Sequence, residues 1–259
     1  MAYRVVEERR AGARLLGADL ACILRMEDST RTPDVGHICS LADTTVSQYN
    51  AGFRRISKSG VCTTTADITH AYRHAARFAL AQGARTVLFV EDDAVFVRTR
   101  ANPAYASVAS FIRREVAGVY ALAAFGVFSP CASPGHYVMT PFLGPLHASV
   151  WSAHALSVLA ALSDDEITES IDLGIVRKRL RVYSFWRPLA TQIFSPTENQ
   201  ANWAAFWGLS RRSTQRITRL GLRLVALHRC AWPGWAFIYA INYAPIAIAV
   251  VMAAGVGGR

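Results

Sequence analysis

Cysteine is scarce in this chain, and it is not arranged for bridging or for zinc. Five cysteines are scattered over 259 residues, and no two of them form a CxxC pair. Secreted disulfide frameworks and structural zinc sites both need paired or closely spaced cysteines. The sequence therefore argues against both classes and fits a reducing compartment.

No apolar run opens the chain. Residues 1–14 are rich in charged side chains, whereas a signal peptide needs an apolar core of about 7–15 residues. We expect neither a signal peptide nor an N-terminal anchor here, and we treat residues 1–17 as an N-terminal extension. No internal repeat or low-complexity segment follows it.

Lysine is almost absent, and the basic charge is concentrated in one segment. Of 28 basic residues only Lys58 and Lys178 are lysine, and the net charge is +10. The segment 209–232 holds six arginines and no acid, which leaves +4 on the rest of the chain. A nucleic-acid-binding protein usually carries its basic charge as a patch or stripe on the folded domain. We therefore expect no nucleic acid among the partners.

Charge is missing altogether from one long stretch. No residue between Cys230 and Gly258 is charged, and 235–254 is apolar apart from one asparagine and two tyrosines. Roughly 20 apolar residues span the hydrocarbon core of a bilayer. The arginines just before the stretch favour the cytoplasmic side. We expect a transmembrane helix over 233–256 that forms a single-pass C-terminal anchor, with the domain before it in the cytosol.

Two features of this region leave alternatives open. The apolar stretch is also compatible with a buried core helix that Pro245 and the glycines interrupt. In the segment 206–232, leucine and isoleucine recur at helical spacing between the arginines, which predicts a basic amphipathic linker. Such a helix can lie on anionic lipid headgroups or pack its leucines on the domain.

Strand and helix signals alternate between residues 18 and 205. This alternation is typical of an α/β domain with a mostly parallel sheet and helices on both faces. Ser163 and Glu166 form a capping box, which predicts a further helix start. The expected strands are 20–24, 35–41, 87–90, 119–125 and 182–185, and the expected helices are 67–82, 104–117 and 153–162.

Three adjacent acids follow the most apolar of these strands. The run 87–90 ends directly in Glu91, Asp92 and Asp93. Open α/β sheets bind ligands beyond the carboxyl ends of their strands, and neighbouring carboxylates repel one another unless a cation lies among them. Carboxylate oxygens suit Mg²⁺ or Mn²⁺, with a substrate phosphate completing the shell. The pattern predicts a metal–diphosphate site, and a solvated acidic turn is the alternative.

The order of motifs over residues 20–200 resembles the family 25 glycosyltransferases, which include bacterial lipooligosaccharide and animal collagen sugar transferases. The similar motifs are Gly60-Val61-Cys62, Thr69-His70-Ala71, Leu88-Phe89-Val90-Glu91-Asp92-Asp93, His147-Ala148-Ser149-Val150-Trp151-Ser152, Ile171-Asp172-Leu173, and Val182-Tyr183-Ser184-Phe185 with Pro188 and Gln192 behind it.

The resemblance implies a GT-A-like, Rossmann-type domain over 18–205. It also implies hexosyl transfer from a nucleotide-sugar, a UDP-sugar being the expected donor, to a hydroxyl of a glycan, lipid-linked or protein acceptor. Asp93 is the expected metal ligand with Asp92 second, and Glu91 is expected to face the ribose. Asp172 matches the downstream acid of the family and is the candidate base of an inverting transfer. A surface acid on a helix is the alternative for Asp172.

Basic side chains supply the remaining site candidates. Arg25 and Arg31 follow the first strand of the domain, where doubly wound folds contact nucleotides, and Lys58 is a candidate for the diphosphate. Surface charge is the alternative for all three.

Two other classes compete with the transferase. A phosphatase of the DxDxT type would need a second aspartate at fixed spacing, which Ala94-Val95 after Asp93 does not provide. A catalytically silent, membrane-anchored adaptor with the same fold is the alternative that remains open.

Overall fold

The computed structural model shows a mixed α/β domain built around one main sheet. The structure describes residues 3–10, 15–51, 63–96, 103–114, 117–122, 137–138, 146–167, 171, 179–184, 189–192, 210, 213, 216, 220, 240, 244 and 248.

Ten strands and four helices fall within these residues. The strands are β1 (Tyr3–Arg10), β2 (Ala18–Met26), β3 (Ala42–Asn50), β4 (Thr86–Glu91), β5 (Ala94–Phe96), β6 (Val119–Ala121), β7 (Tyr137–Val138), β8 (Ala148–Ser152), β9 (Val182–Ser184) and β10 (Ala190–Gln192). The helices are α1 (Val35–Cys39), α2 (Thr64–Ala81), α3 (Pro103–Arg114) and α4 (Ala153–Ala160).

Eight of the described strands form the main sheet, in the order β1-β3-β2-β4-β8-β6-β9-β7, and β5 pairs with β10 separately. β2 is parallel to β3 and β4, and β6 is parallel to β9. The other four pairings of the main sheet are antiparallel. The prediction of a mostly parallel sheet is therefore wrong for these strands. That prediction assumes a helical crossover before each strand, and the described residues contain no helix between β6 and β8.

Helices cover both faces of the sheet, as predicted. Val87 and Phe89 point into a core shared with α2 and α4, whereas Leu88 and Val90 point into a second core shared with α1 and α3. All four side chains are fully buried, which explains why β4 is apolar at consecutive positions. Burial of each contributes roughly 1.5–3 kcal/mol, so the strand is held firmly from both sides.

Most predicted elements are present. β2, β4, β6 and β9 fall on predicted strands, and α2, α3 and α4 fall on predicted helices. The caps explain two of the helices. Thr63 accepts a hydrogen bond from the backbone of Ala66 at the start of α2, and Ser152 accepts one from Ala155 at the start of α4.

The predicted strand over 35–41 is wrong, because this segment contains α1. Asp34 caps the helix by accepting a hydrogen bond from the backbone N–H of His37. Ile38 and Leu41 then enter the same core at helical spacing. The second strand in the parallel part of the sheet is instead β3, which begins at Ala42.

Two further segments differ from the expectation. The N-terminal extension contains β1, which pairs with β3 from Tyr3 opposite Asn50 onward, so it adds a strand to the sheet. One half of the Ser163–Glu166 capping box forms, since Glu166 Oε2 accepts from Ser163 N at 2.9 Å. Ser163 Oγ donates to the same oxygen at 3.0 Å. The described residues 164–167 nevertheless contain a turn and no helix.

Most of the linker and of the apolar stretch lies outside the described residues. Of the positions described there, 210 is not helical, whereas 213, 216, 220, 240, 244 and 248 are. The side chains of Leu220 and Ile248 are each 59% exposed. Within the described part of the chain, no helix combines the length and the apolarity needed to cross a bilayer. The transmembrane helix over 233–256 stays a prediction.

Candidate metal site

The three adjacent acids lie where a buried strand of the sheet ends. Glu91 is the last residue of β4, and Asp92 and Asp93 form the turn that leads into β5. Leu24 of the parallel neighbour β2 lies opposite Glu91, and the backbone N–H of Asp92 donates to its carbonyl at 3.1 Å. The acids therefore lie at the carboxyl ends of two parallel strands, the place at which open α/β sheets hold ligands.

His147 joins the acids from the other side of β4. Strand β8 is antiparallel to β4, with Ala148 opposite Val90, so the preceding His147 comes to lie beside Glu91. The backbone N–H of Glu91 donates to the His147 carbonyl at 2.8 Å. His147 Nδ1 lies 2.5 Å from Glu91 Oε2 and 3.8 Å from Asp93 Oδ1.

Glu91, Asp93 and His147 form a compact group of possible metal ligands. One donor atom from each lies within 4.8 Å of the other two. The side chain of Asp93 is 2% exposed, and those of Glu91 and His147 are 15% and 20% exposed. Two carboxylates and an imidazole suit a divalent transition-metal ion, so the residues fit the metal that the sequence implies.

The group differs from the expected ligand set. Asp93 belongs to it as expected, but Glu91, which we expected to face a ribose, belongs to it as well. Asp92 lies outside this group, and its Oδ1 pairs with Arg31 Nη1 at 2.5 Å. Sequence reasoning did not identify His147 as a ligand. Its only local signal is a polar residue before an apolar strand, and the pairing of β8 with β4 is what brings it to the site.

Arg31 forms salt bridges with both aspartates. Its Nη1 also lies 3.4 Å from Asp93 Oδ2, and its side chain is only 20% exposed. The Oδ2 atom of Asp92 is buried and accepts no hydrogen bond from the described part of the chain. The predicted arginine is therefore at the site, held against both aspartates.

Arg25 supports the segment that carries Arg31. Its Nη2 donates to the Arg31 carbonyl at 3.2 Å, and its Nη1 donates to the Tyr49 hydroxyl at 3.3 Å. The guanidinium also lies 5.2 Å from the centre of the Tyr49 ring, within the range of a cation–π contact. Both predicted arginines thus lie at the same edge of the sheet as the acids.

The surroundings of Glu91 favour its charged form. Burial raises the pKa of this carboxyl, but the charge of His147 and its hydrogen bond lower the pKa, and the Tyr72 hydroxyl and Arg31 lower it further. The lowering contributions prevail, so the pKa of Glu91 lies below its ordinary value. An anionic Glu91 is the form that a cation requires.

Two predicted site residues, Asp172 and Lys58, lie outside the described residues. The structure brings Arg25, Arg31 and the three acids together. The roles of Asp172 as base and of Lys58 as a diphosphate contact stay predictions.

Comparisons with known proteins give little further guidance. No protein-family model and no curated protein matches the chain. Among solved structures, the crystal structure of A197 from STIV is similar at 11% identity and a TM-score of 0.43, over 68% of this chain and 86% of that one. This likeness is too weak to carry an argument about fold or function.

Proposed function

We propose that the protein is a metal-dependent glycosyltransferase that moves a sugar from a nucleotide-sugar donor to a hydroxyl acceptor. The observation that carries the proposal is the cluster of Glu91, Asp93 and His147 at the carboxyl end of β4. We also propose that the mixed α/β domain has a GT-A-like, Rossmann-type fold. This assignment is supported by the parallel strands β2, β3 and β4 and by helices on both faces.

The cluster suits the leaving group of such a reaction. A divalent ion, when bound, neutralises the charge that develops on a nucleoside diphosphate and so makes it a better leaving group. Asp93, Glu91 and His147 would hold that ion. Imidazole nitrogen binds transition-metal ions better than it binds Mg²⁺, so Mn²⁺ is the expected ion.

The arginines would bind the donor. A guanidinium offers several donors in a plane and pairs well with phosphate. Arg31 is already directed to the cluster by Asp92 and Asp93, and Arg25 fixes its backbone. We assign the diphosphate to Arg31, with Lys58 as a second contact. Asp172 would take the proton of the acceptor hydroxyl in an inverting transfer.

Membrane attachment fits this function. The predicted anchor over 233–256 would hold the domain close to lipid-linked or membrane-bound acceptors and would raise their effective concentration. The charge-free stretch after Cys230 supports this part of the proposal.

The test is thermal unfolding of the full-length protein in detergent with Mn²⁺ and UDP or GDP. We expect the melting temperature to rise with the metal and nucleotide together, since both bind the folded state. Asp93→Asn keeps the shape of the side chain but removes its charge, so it should abolish this rise and all metal-dependent turnover of nucleotide-sugar. Asp165→Asn changes an exposed acid in the 164–166 turn and should leave both intact.

Two results would contradict the proposal. If a folded Asp93→Asn protein retained metal-dependent turnover, Asp93 would not be a metal ligand and the proposed site would be wrong. No protection of the wild-type protein by any nucleotide with Mn²⁺ would favour the silent adaptor instead.

A further inference from the structure

Tyr72 of α2 connects the core of the domain to the metal site. Its ring is fully buried, with ring centres 5.2 Å from Phe89 and 6.1 Å from Trp151. Its hydroxyl lies 3.0 Å from Glu91 Oε1 and 3.1 Å from the carbonyl oxygen of Leu146. Because aromatic neighbours hold the ring on two sides, the position of the hydroxyl is fixed by packing.

The neighbouring hydrogen bonds decide where the Tyr72 hydrogen goes. Trp151 Nε1 donates to Ser149 Oγ at 2.9 Å, and Ser149 Oγ lies 3.1 Å from the Leu146 carbonyl, to which it donates. The indole N–H is a donor only, so the hydrogen of Ser149 remains free for Leu146. The Leu146 carbonyl is therefore satisfied without Tyr72. The tyrosine can give its single hydrogen to Glu91 Oε1, and a charged acceptor makes the stronger bond.

This arrangement acts on Glu91. With Oε1 engaged by Tyr72, Oε2 is the oxygen of Glu91 that faces His147 Nδ1, at 2.5 Å. We propose that Tyr72 is a positioning residue of the metal site, which directs a single oxygen of Glu91 toward the cation. This inference rests on the proposed function, because it needs the metal to bind there.

The inference predicts a change in metal affinity when the hydroxyl alone is removed. Groups that orient metal ligands typically contribute about 10–100-fold to metal affinity. We expect Tyr72→Phe to weaken Mn²⁺ binding by about tenfold, measured on the full-length protein in detergent by electron paramagnetic resonance of free Mn²⁺. Tyr120→Phe is the matched control, since Tyr120 is equally buried and lies in the other core. It should leave the affinity unchanged.

A second variant separates positioning from general packing. Ser149→Ala removes the donor that satisfies Leu146, so this carbonyl would compete with Glu91 for the Tyr72 hydrogen. We expect Ser149→Ala to weaken Mn²⁺ binding several-fold in the wild-type background. In the Tyr72→Phe protein, which has no hydrogen to redirect, it should have no further effect. Such non-additivity is the signature of two residues that act through one group.

The outcomes distinguish this inference from the proposed function. If the wild-type protein binds Mn²⁺ and Tyr72→Phe binds it equally well, Tyr72 is only a core residue, and the proposed function stands. If Tyr72→Phe and Tyr120→Phe weaken Mn²⁺ binding equally, loosening of the core explains the result and the inference is wrong. The same holds if Ser149→Ala weakens binding as much in the Tyr72→Phe protein as in the wild type. If the wild-type protein binds no Mn²⁺, both proposals fall.

Discussion

In the proposed metal site, His147 would decide which metal is preferred. It offers the one nitrogen atom in a group whose other members are carboxylates. Imidazole binds transition-metal ions well, whereas Mg²⁺ strongly prefers oxygen. His147→Gln should therefore weaken Mn²⁺ binding by an order of magnitude or more, because loss of a group that only orients a ligand already costs about 10–100-fold in affinity. It should change Mg²⁺ binding little.

Parallel titrations of the two ions measure this difference. His154→Gln, in which an exposed histidine of α4 is replaced, is the matched control and should alter neither affinity. Equal loss of Mn²⁺ and Mg²⁺ binding would show that His147 supports the fold of the site and does not ligate the ion.

Asp172 carries the second prediction at this scale. If it takes the acceptor proton, Asp172→Asn should lower turnover by a factor on the order of 10² or more, the usual contribution of general base catalysis. Binding of the donor should be nearly unchanged, because the base acts only during the transfer. Initial rates with acceptor, together with nucleotide binding by the same variant, measure both quantities. Activity within a few fold of wild type would leave Asp172 as a surface acid.

Among the secondary-structure elements, the start of α4 depends on one hydroxyl. Ser152 Oγ accepts hydrogen bonds from Ala155 N at 3.3 Å and from Gly118 N at 2.9 Å, and Ser152 is 4% exposed. Ser152→Ala would leave two buried backbone N–H groups without this acceptor. Loss of a cap costs about 0.5–2 kcal/mol, and a buried unsatisfied donor costs about 1–3 kcal/mol. We expect Ser152→Ala to lower the free energy of unfolding by an amount in the upper part of these ranges.

Thr63→Ala is the matched variant for this measurement. Thr63 caps α2 through one hydrogen bond, from Ala66 N, and it is exposed. Urea unfolding should show that Thr63→Ala lowers the free energy of unfolding by about 1 kcal/mol. Ser152→Ala should lower it by a clearly larger amount. Equal losses would mean that the contact between Ser152 and Gly118 contributes nothing to stability.

Local signals explain which elements could be predicted. Thr64 and Asp67 predict the start of α2 within one residue of its actual cap, Thr63, and Ser152 predicts the start of α4. The run 87–90 is apolar at every position. The segment 35–41 was predicted wrongly because five helical residues give too little periodicity to separate a short helix from a strand. Its cap, Asp34, was the signal available.

The candidate site was predictable to a similar extent. The acids follow the apolar run 87–90 directly, and the two arginines come at or soon after the end of the run 20–24. Their place at the carboxyl edge therefore follows from the chain order. The contributions of His147 and Tyr72 depend on long-range packing, since β8 must pair with β4 and α2 must cover the same strand. No spacing rule connects residues 72, 91 and 147, so the single sequence could not reveal that they meet.

At the scale of the whole molecule, the mixed sheet places the candidate metal site between a parallel and an antiparallel neighbour of β4. β2 approaches the site in parallel with β4 and leads into the segment of Arg31, whereas β8 leaves the site antiparallel to β4 and begins beside His147. A purely parallel sheet would put the start of β8 at the opposite edge. The reversed strand is therefore what adds an imidazole nitrogen to an otherwise acidic strand end.

The last prediction concerns how the molecule meets the membrane. The stretch after Cys230 carries no charge up to Gly258, and six arginines precede it within 209–232. Moving those arginines across the bilayer would be unfavourable, and an α-helix satisfies its own backbone hydrogen bonds in lipid. We expect full-length protein to remain in membranes during alkaline carbonate extraction, and we expect protease to remove an N-terminal tag from sealed, inside-out vesicles. Release at high pH would mean that the stretch is a core or interfacial helix. Protection of the tag would mean that the orientation is reversed and that the domain lies on the other side of the membrane.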